Sequence, residues 1–243
     1  MPFRMFSLGE AADYLQMPEA ALEELARRGE VPCERQGKRL AFRHCDIDEW
    51  ASRRVLGMND AGLRDYHRRT TAVWRDLSPS ATILDTMTRP EWIRTGLSCR
   101  SKAGAIAEMT RLGDETGLVC DAGELQESLT EREKLCSTAL PGGFALLHPK
   151  HHEPYMFVDS FIALGRTAGQ ILFGAPDGET TDLFFLICCQ DDRIHLHVLA
   201  RLCMMCHHTE VLEELRAAED AKEMHRILLA AEGQVVGDAP GGR

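Results

Sequence analysis

The sequence predicts a protein of the α/β class in which a small N-terminal module precedes a larger, layered α/β domain. Two observations lead to this prediction. From residue 81 onward, helical patterns alternate with short apolar strands such as Leu183–Ile187, as in layered α/β domains. Residues 6–57 instead contain helical patterns on either side of a short hairpin. The composition, 44% hydrophobic and 27% charged, is that of a folded chain.

The first module opens on the pattern of a helix capping box, Ser7-Leu8-Gly9-Glu10. In such a box the serine hydroxyl accepts from the amide of the glutamate, whose carboxylate reaches back to the serine amide. Pro18 suits the first turn of a second helix, where its missing N–H costs nothing. Gly29 is expected to end that helix, because glycine readily adopts the left-handed conformation found after helix C-termini.

A hairpin and a third helix are predicted next. Residues 31–35 and 39–42 form two short strand patterns joined at Gln36-Gly37-Lys38. Asp46 is expected to cap the helix that follows. The module therefore has the order helix, turn, helix, hairpin, helix.

This order resembles the winged helix-turn-helix domain of the excisionase and MerR class. The resemblance is carried by Ala11-Ala12-x-x-Leu15, Arg28-Gly29-x-Val31-Pro32, Gly37-Lys38-Arg39 and Phe42-x-x-x-Asp46-Ile47-x-x-Trp50. It implies a DNA-binding module in which one helix approaches the base edges and basic side chains hold the phosphate backbone.

The charges of this module favour the hairpin as the DNA contact. The candidate recognition helix, residues 18–28, carries three glutamates against two arginines, and carboxylates near phosphates are unfavourable. The hairpin offers four basic side chains that could clamp the backbone: Arg35, Lys38, Arg39 and Arg43. The alternative is a degenerate module that makes protein contacts, and any DNA affinity is expected to need a homodimer.

Residues 58–80 are predicted to be a helical linker between the first module, residues 1–57, and the second domain, residues 81–236. Apolar residues recur there at helical spacing among basic ones, until Ser78-Pro79-Ser80 breaks the pattern. We expect the linker helix to pack on a neighbour or to self-associate, with a nucleic-acid contact as the alternative. Residues 237–243 are expected to form a loose tail.

The second domain is predicted to alternate helices with strands. Helices are expected at residues 90–93, 101–116, 122–132, 195–206 and 221–229, and strands around 157–164 and 183–189. Between the third helix and the first of these strands lies a stretch, residues 137–148, that combines glycines with an apolar run ending in a histidine.

An ordered series of motifs surrounds this histidine. The series is Arg132-Glu133, Ser137-Thr138, Pro141-Gly142-Gly143, Ala145-Leu146-Leu147-His148, Phe173-Gly174-Ala175-Pro176-Asp177-Gly178 and His195-Leu196-His197-Val198-Leu199-Ala200. It resembles the enzyme IIA (EIIA) type 2 domains of the bacterial phosphotransferase system, the fructose, mannitol and nitrogen-regulatory class. The resemblance implies a layered α/β/α domain. It also implies that His148 accepts a phosphoryl group from a histidine phosphocarrier protein, with His195 and Arg132 as stabilisers.

The residue types suit this chemistry. A neutral imidazole nitrogen can attack phosphorus near neutral pH, and an arginine fork can hold the charge that spreads over the phosphoryl oxygens. Two local departures from the family pattern bear on this transfer. Residues 139–143 lack part of the family's glycine pattern, and Pro149 stands where the family has a glycine whose N–H could face the phosphate.

Other site classes are less favoured. The string Cys203-Met204-Met205-Cys206-His207 matches the haem-attachment pattern, but it falls inside a predicted helix of a chain expected to be cytoplasmic. Acidic residues at positions 10 and 13 come too early for a signal peptide, and no apolar run is long enough to span a bilayer. A zinc cage lacks a second Cys-x-x-Cys pair. We therefore expect no metal, no cofactor and no membrane partner, and nine reduced cysteines.

The sequence as a whole predicts a cytoplasmic regulatory phosphocarrier of the nitrogen-regulatory type, which couples phosphorylation of His148 to a DNA-binding module. The formal charge of −10 excludes a chain that is basic throughout but allows a local basic face. Two alternatives stay open. One is a phosphorylation-independent sensor on the same fold, and the other is a soluble sugar-uptake component whose first module serves for docking.

Overall fold

A computed structural model describes residues 5–37, 39–73, 82–150 and 155–237 of the chain. The first module consists of β1 (Met5–Ser7), α1 (Leu8–Tyr14), α2 (Glu19–Arg28), β2 (Glu34–Gln36), β3 (Arg39–Arg43) and α3 (His44–Leu56). Its three strands form an antiparallel sheet in the order β1-β3-β2. The helices α1, α2 and α3 bury residues such as Leu22, Phe42 and Ile47 against one another and the sheet.

The local signals of this module are mostly confirmed. Ser7 Oγ accepts from the amide of Glu10 at 3.3 Å, and the Glu10 carboxylate accepts from the amide of Ser7 at 2.8 Å. Gly29 ends α2 with a φ of 72°, in the left-handed region. The prediction that Asp46 caps α3 is wrong. That helix begins at His44 directly after β3, so Asp46 lies within its first turn.

Helix α4 (Asp60–Val73) follows, within the range predicted for the linker helix. The second domain contains α5 (Leu84–Met87), a 3-10 turn (Pro90–Trp92), β4 (Ile93–Leu97), α6 (Lys102–Asp114), α7 (Ala122–Leu135), β5 (Ala139–Leu140), β6 (Phe144–Leu147), β7 (Phe161–Ile171), β8 (Thr181–Cys188), α8 (Asp192–His208), α9 (Val211–Ala217) and α10 (Ala221–Gly237). None of the helices in the described ranges is long and apolar enough to cross a membrane.

The five strands of this domain form one mixed sheet in the order β4-β7-β8-β6-β5. Strands β6 and β8 are parallel, and so are β4 and β7, whereas β7 and β8 are antiparallel. Along β8 the buried side chains alternate between two clusters, with Phe185 on one face and Phe184 and Leu186 on the other. One face packs against α6 and α7, and the other packs against α8 and α10. The predicted layered α/β/α fold is therefore confirmed.

Several elements of this domain differ from the sequence prediction. The segment predicted as a helix at residues 90–93 is a 3-10 turn that leads into β4, an edge strand the prediction missed. Its sequence, Ile-Arg-Thr-Gly-Leu, shows little apolar alternation, and its register against β7 is irregular. Helix α8 begins at Asp192 rather than at residue 195, and the seven-residue helix α9 was not predicted.

A buried polar network joins α4 to the second domain. Arg201 Nε on α8 donates to His67 Nε2 on α4 at 2.7 Å, and Arg201 Nη1 donates to Glu232 Oε1 on α10 at 2.7 Å. Glu232 also accepts two backbone amides at the start of α5. The ring of His67 stacks on that of His197, with centroids 4.9 Å apart. Burial, together with the nearby charge of Arg201, lowers the pKa of His67 to about 3 and that of His197 to about 4.

We expect Gly165→Ala to destabilise the fold. Gly165 lies in β7, and a Cβ there would clash with Leu97 Cδ1 and approach Met109 Sδ to 2.6 Å. Such overpacking costs about 1–3 kcal/mol of unfolding free energy, which urea denaturation measures. The matched control is Gly169→Ala in the same strand, because a Cβ at Gly169 meets nothing within 4 Å. Equal unfolding free energies for the two variants would contradict the packing described here.

The buried histidines predict that stability falls as pH drops below neutrality. Their pKa in the unfolded chain is near the ordinary histidine value of 6.5, but in the folded protein it is only about 3 for His67 and about 4 for His197. The unfolded state therefore binds more protons within this window, so stability is fully present above pH 6.5 and is lost as the pH falls. Between pH 7 and pH 5 the expected loss is about 2 kcal/mol for either histidine taken alone.

Urea denaturation at both pH values measures this loss. His67→Gln keeps an acceptor for Arg201 but cannot titrate, so it should show a smaller loss than the wild type. Identical pH dependence for the two proteins would show that His67 takes no part in the effect.

Candidate functional site

The site is built at the end of β6, where the chain presents His148. The strand is buried between β5 and β8, and the side chain of His148, which follows it directly, is only 2% exposed. The turn before β6 contains Gly142 at φ 99° and Gly143 at φ 80°, both in the left-handed region. A Cβ at Gly143 would also lie 2.7 Å from Arg216 Nη2. The two remaining glycines of the motif thus occupy the positions that need them.

Hydrogen bonds fix the tautomer of His148. Its Nδ1 lies 2.8 Å from the carbonyl oxygen of Leu146, and since a carbonyl only accepts, Nδ1 carries the proton. Nε2 is then the nitrogen with the lone pair, and it accepts from Arg132 Nε at 3.0 Å. The ring nitrogen that carries the lone pair therefore faces the guanidinium.

Arg132 comes from the last turn of α7 and is 1% exposed. Besides its bond to His148, it donates through Nη1 to the carbonyl of Cys136 at 3.0 Å. Its Nη2 is buried with no hydrogen-bond partner among the described residues. A buried charged donor without an acceptor is costly, so an anionic group carried on His148 Nε2 would fit this corner of the site.

Glu133, the neighbour of Arg132, ties α7 to the strand that leads into the site. Its Oε1 accepts from the amide of Thr138 at 2.9 Å and also from the Thr138 hydroxyl. Lys102, at the start of α6, lies 2.8 Å from the other carboxylate oxygen of Glu133. The Arg-Glu and Ser-Thr motifs of the sequence thus contact each other. Glu133 holds Thr138 in place, and Arg132 points toward His148. The role of Lys102 was not predicted.

His195 lies in the first turn of α8 and is fully buried. Its ring centroid is 4.7 Å from that of His148, with an angle of 44° between the rings. The structure thus brings together all three residues predicted for the site: His148, His195 and Arg132. It adds Ser52 of α3, whose Oγ lies 3.4 Å from His195 Nε2. Nothing in the sequence connects these two residues, which are far apart along the chain.

The basic residues predicted to contact DNA lie away from this site, on the hairpin of the first module. Arg35 and Arg39 are exposed, and neither makes an ion pair with another described residue. Arg43 is held by Glu34, with Nη2 and Oε1 2.6 Å apart. Lys38 lies outside the described residues.

The candidate recognition helix α2 has little free positive charge. Arg27 and Arg28 both donate to Glu24, and these bonds hold the pKa of that carboxyl below its usual value. The exposed face of α2 therefore offers ion pairs rather than free cations, which makes the hairpin the more favourable side for a phosphate backbone.

The cysteine string that resembles a haem-attachment motif lies inside α8. Burial raises the pKa of the Cys203 thiol to about 12, and that of Cys206 is also raised well above its usual value. Both thiols therefore stay protonated and pack with the core. Within the part of the chain that the structure describes, no three histidine, cysteine or acidic residues form a group able to hold a metal ion.

Comparison with known proteins agrees with this geometry. Residues 86–231 match the family described as "Phosphoenolpyruvate-dependent sugar phosphotransferase system, EIIA 2", and residues 5–55 match a helix-turn-helix domain. A nitrogen regulatory protein of Bradyrhizobium diazoefficiens is 32% identical over 142 residues, which covers 57% of this chain and 90% of that protein. The nitrogen regulatory protein of Escherichia coli K12 is 28% identical over 155 residues, covering 62% and 91%.

Solved structures show the same domain. The nitrogen regulatory protein IIA-Ntr from Neisseria meningitidis superposes with a TM-score of 0.54 at 27% identity, over 60% of this chain and 99% of that one. The mannitol IIA protein of Escherichia coli, at 20% identity and a TM-score of 0.52, shares the fold over 58% of this chain and 98% of its own. This chain therefore belongs to the EIIA type 2 family of the phosphoenolpyruvate-dependent sugar phosphotransferase system and carries a helix-turn-helix domain ahead of the family's own.

Proposed function

We propose that the protein is a regulatory phosphocarrier whose His148 accepts a phosphoryl group from a histidine phosphocarrier protein. The observation that carries the proposal is the environment of His148 Nε2. The Leu146 carbonyl holds the proton on Nδ1, so the lone pair of Nε2 faces the buried guanidinium of Arg132. The unpartnered Nη2 of that guanidinium supplies a donor for a phosphoryl oxygen.

The proposed step transfers one phosphoryl group between two histidines. The nitrogen–phosphorus bond of the donor breaks, and its electron pair stays on the donor imidazole. The lone pair of His148 Nε2 forms the new bond, while the Nδ1 proton stays on its hydrogen bond to Leu146. Arg132 shifts its donors from the nitrogen to the phosphoryl oxygens, where charge develops in the transition state. His195, at 4.7 Å between ring centroids, is close enough to contribute a second donor.

A regulatory role is supported over sugar uptake by the relatives and by the first module. Several of the similar proteins are named nitrogen regulatory proteins. The helix-turn-helix domain, with Arg35 and Arg39 exposed on its hairpin, provides an output that binds DNA. We propose that the phosphorylation state of His148 changes what this domain contacts. A sensor that works without phosphorylation and a soluble sugar-uptake component are the alternatives.

Phosphoryl transfer tests the proposal directly. With phosphoenolpyruvate, enzyme I and the phosphocarrier protein, we expect the wild type to gain acid-labile, base-stable phosphate and His148→Ala to gain none. Arg132→Ala should slow the transfer by about 10²–10³-fold, because it removes the main stabiliser of the developing charge. His225→Ala on α10 is the matched control and should behave as the wild type. A wild type that stays unlabelled beside charged carriers would favour the sensor alternative.

DNA retention tests the proposed output. We expect the wild type to be retained on duplex DNA with a steep dependence on salt, and the double variant Arg35→Ser/Arg39→Ser to lose affinity. The slope of log affinity against log salt should fall by about 2, because each phosphate contact contributes about 0.9. Arg111→Ser in α6 is the control, since that arginine is paired with Glu108 and Glu115. An unchanged slope in the double variant would place the DNA contact elsewhere, and no retention of the wild type would favour a protein-binding module.

A further inference from the structure

The first module and the linker helix pack directly against α8, the helix that carries His195. Both α3 and α4 lie along α8, and all three helices contribute to one buried apolar cluster. The cluster includes Val55 of α3, Leu63 of α4 and Leu199 of α8, each 2% exposed or less. The interface between the two parts of the chain is therefore a continuous hydrophobic core.

Among the described residues, polar contacts at two places cross this interface, and both involve histidines of α8. Ser52 Oγ on α3 lies 3.4 Å from His195 Nε2, and the ring of His195 packs on that of His148. A residue of the first module is thus one side chain away from the candidate acceptor. At the second contact, His67 of α4 accepts from Arg201 and stacks on His197. His197 lies two residues after His195 in α8.

The site is buried, and α3 contacts its histidine pair through Ser52. The exposed fractions are 2% for His148, 0% for His195 and 1% for Arg132. A phosphoryl donor must bring phosphorus within about 3–3.5 Å of Nε2, in line with the breaking bond. A protein-bound phosphohistidine cannot reach an imidazole that is buried to this degree.

We propose that α3 and α4 form a lid over the histidine pair, latched by the contact of His67 with Arg201, and that phosphoryl transfer requires this lid to open. The inference rests on the proposed function, because the lid matters only if His148 is phosphorylated. Whether α3 and α4 cover His148 can nevertheless be tested without phosphoryl transfer. Because α3 belongs to the first module, the opened state is also the state in which that module is released from α8.

The charge of the product favours the open state. A phosphoryl group adds about −1.5 to −2 charges at neutral pH and three acceptor oxygens. It would occupy the corner between His148, Arg132 and His195, and a His195 ring that turns its Nε2 toward the phosphoryl group gives up the contact with Ser52. By linkage, a modification that favours the open lid is itself favoured when the lid is open. Phosphorylation and release of the helix-turn-helix domain are thus coupled in both directions.

The experiment compares four full-length proteins: wild type, His67→Ala, His67→Gln and His225→Ala. His67→Ala removes the acceptor and the stacked ring of the latch, whereas His67→Gln keeps an acceptor for Arg201. His225 lies on α10, bonded to the carbonyl of Thr88, and serves as a histidine control outside the lid. Each protein is treated with diethyl pyrocarbonate, which acylates neutral imidazole, and modification of His148 is followed by mass spectrometry. The initial rate of phosphoryl transfer is measured on the same samples.

We expect His148 to be modified slowly in the wild type, His67→Gln and His225→Ala, and about tenfold faster in His67→Ala. A hydrogen bond to a charged group contributes about enough free energy for a tenfold change in the open population. The transfer rate should rise by a similar factor. If thermal unfolding shows that His67→Ala is not folded, Ser52→Ala provides the same comparison with a smaller expected increase.

Equal rates of His148 modification in the wild type, His67→Ala and Ser52→Ala would overturn the proposal of a lid. Faster modification without phosphoryl transfer in any of the proteins would support the lid and contradict the phosphocarrier function. The two inferences therefore fail separately.

Discussion

The burial of α8 on all sides is the constraint on which the rest of the structure depends. From Leu196 to Met205 every side chain of this helix is buried, including His197 and Arg201. A helix that is apolar all round must be covered on every face. The central sheet covers one side, and α3 and α4 cover the other. The position of His195, the contact with Ser52 and the network around Arg201 all follow from this placement.

The sequence was sufficient to predict elements that local chemistry determines. The capping box at Ser7 and the glycine that ends α2 depend on residues a few positions apart, so they could be recognised without the fold. The layered domain was recognised because its motifs occur in a fixed order. Elements with weak local signals were missed. Strand β4 has a glycine and an irregular register, and it forms a strand because it pairs with β7. Asp46 matched a capping pattern, but the direct passage from β3 into α3 sets the start of that helix.

The residues of the candidate site also divide into those that the sequence predicted and those that only the fold brings together. His148, Arg132 and His195 were predicted because a family pattern links them, and the structure brings them into contact. Ser52 and His67 carry no such pattern. Their roles arise from packing between distant segments, which requires the three-dimensional arrangement. Glu133 lies between these cases: its motif was noted, but its function as an anchor for Thr138 is evident only from the hydrogen bonds.

The shared core also has a consequence for how the protein tolerates change. Leu22 in the first module and Val235 near the end of α10 belong to one continuous buried cluster. While α3 and α4 stay packed on α8, this core stabilises every element that lines it, so the closed protein should unfold in one cooperative transition. A cavity created in α2 or α3 would then lower the folded population of the EIIA domain as well. Selection that preserves the helix-turn-helix core therefore also preserves the histidine site, because both depend on the same free energy of unfolding.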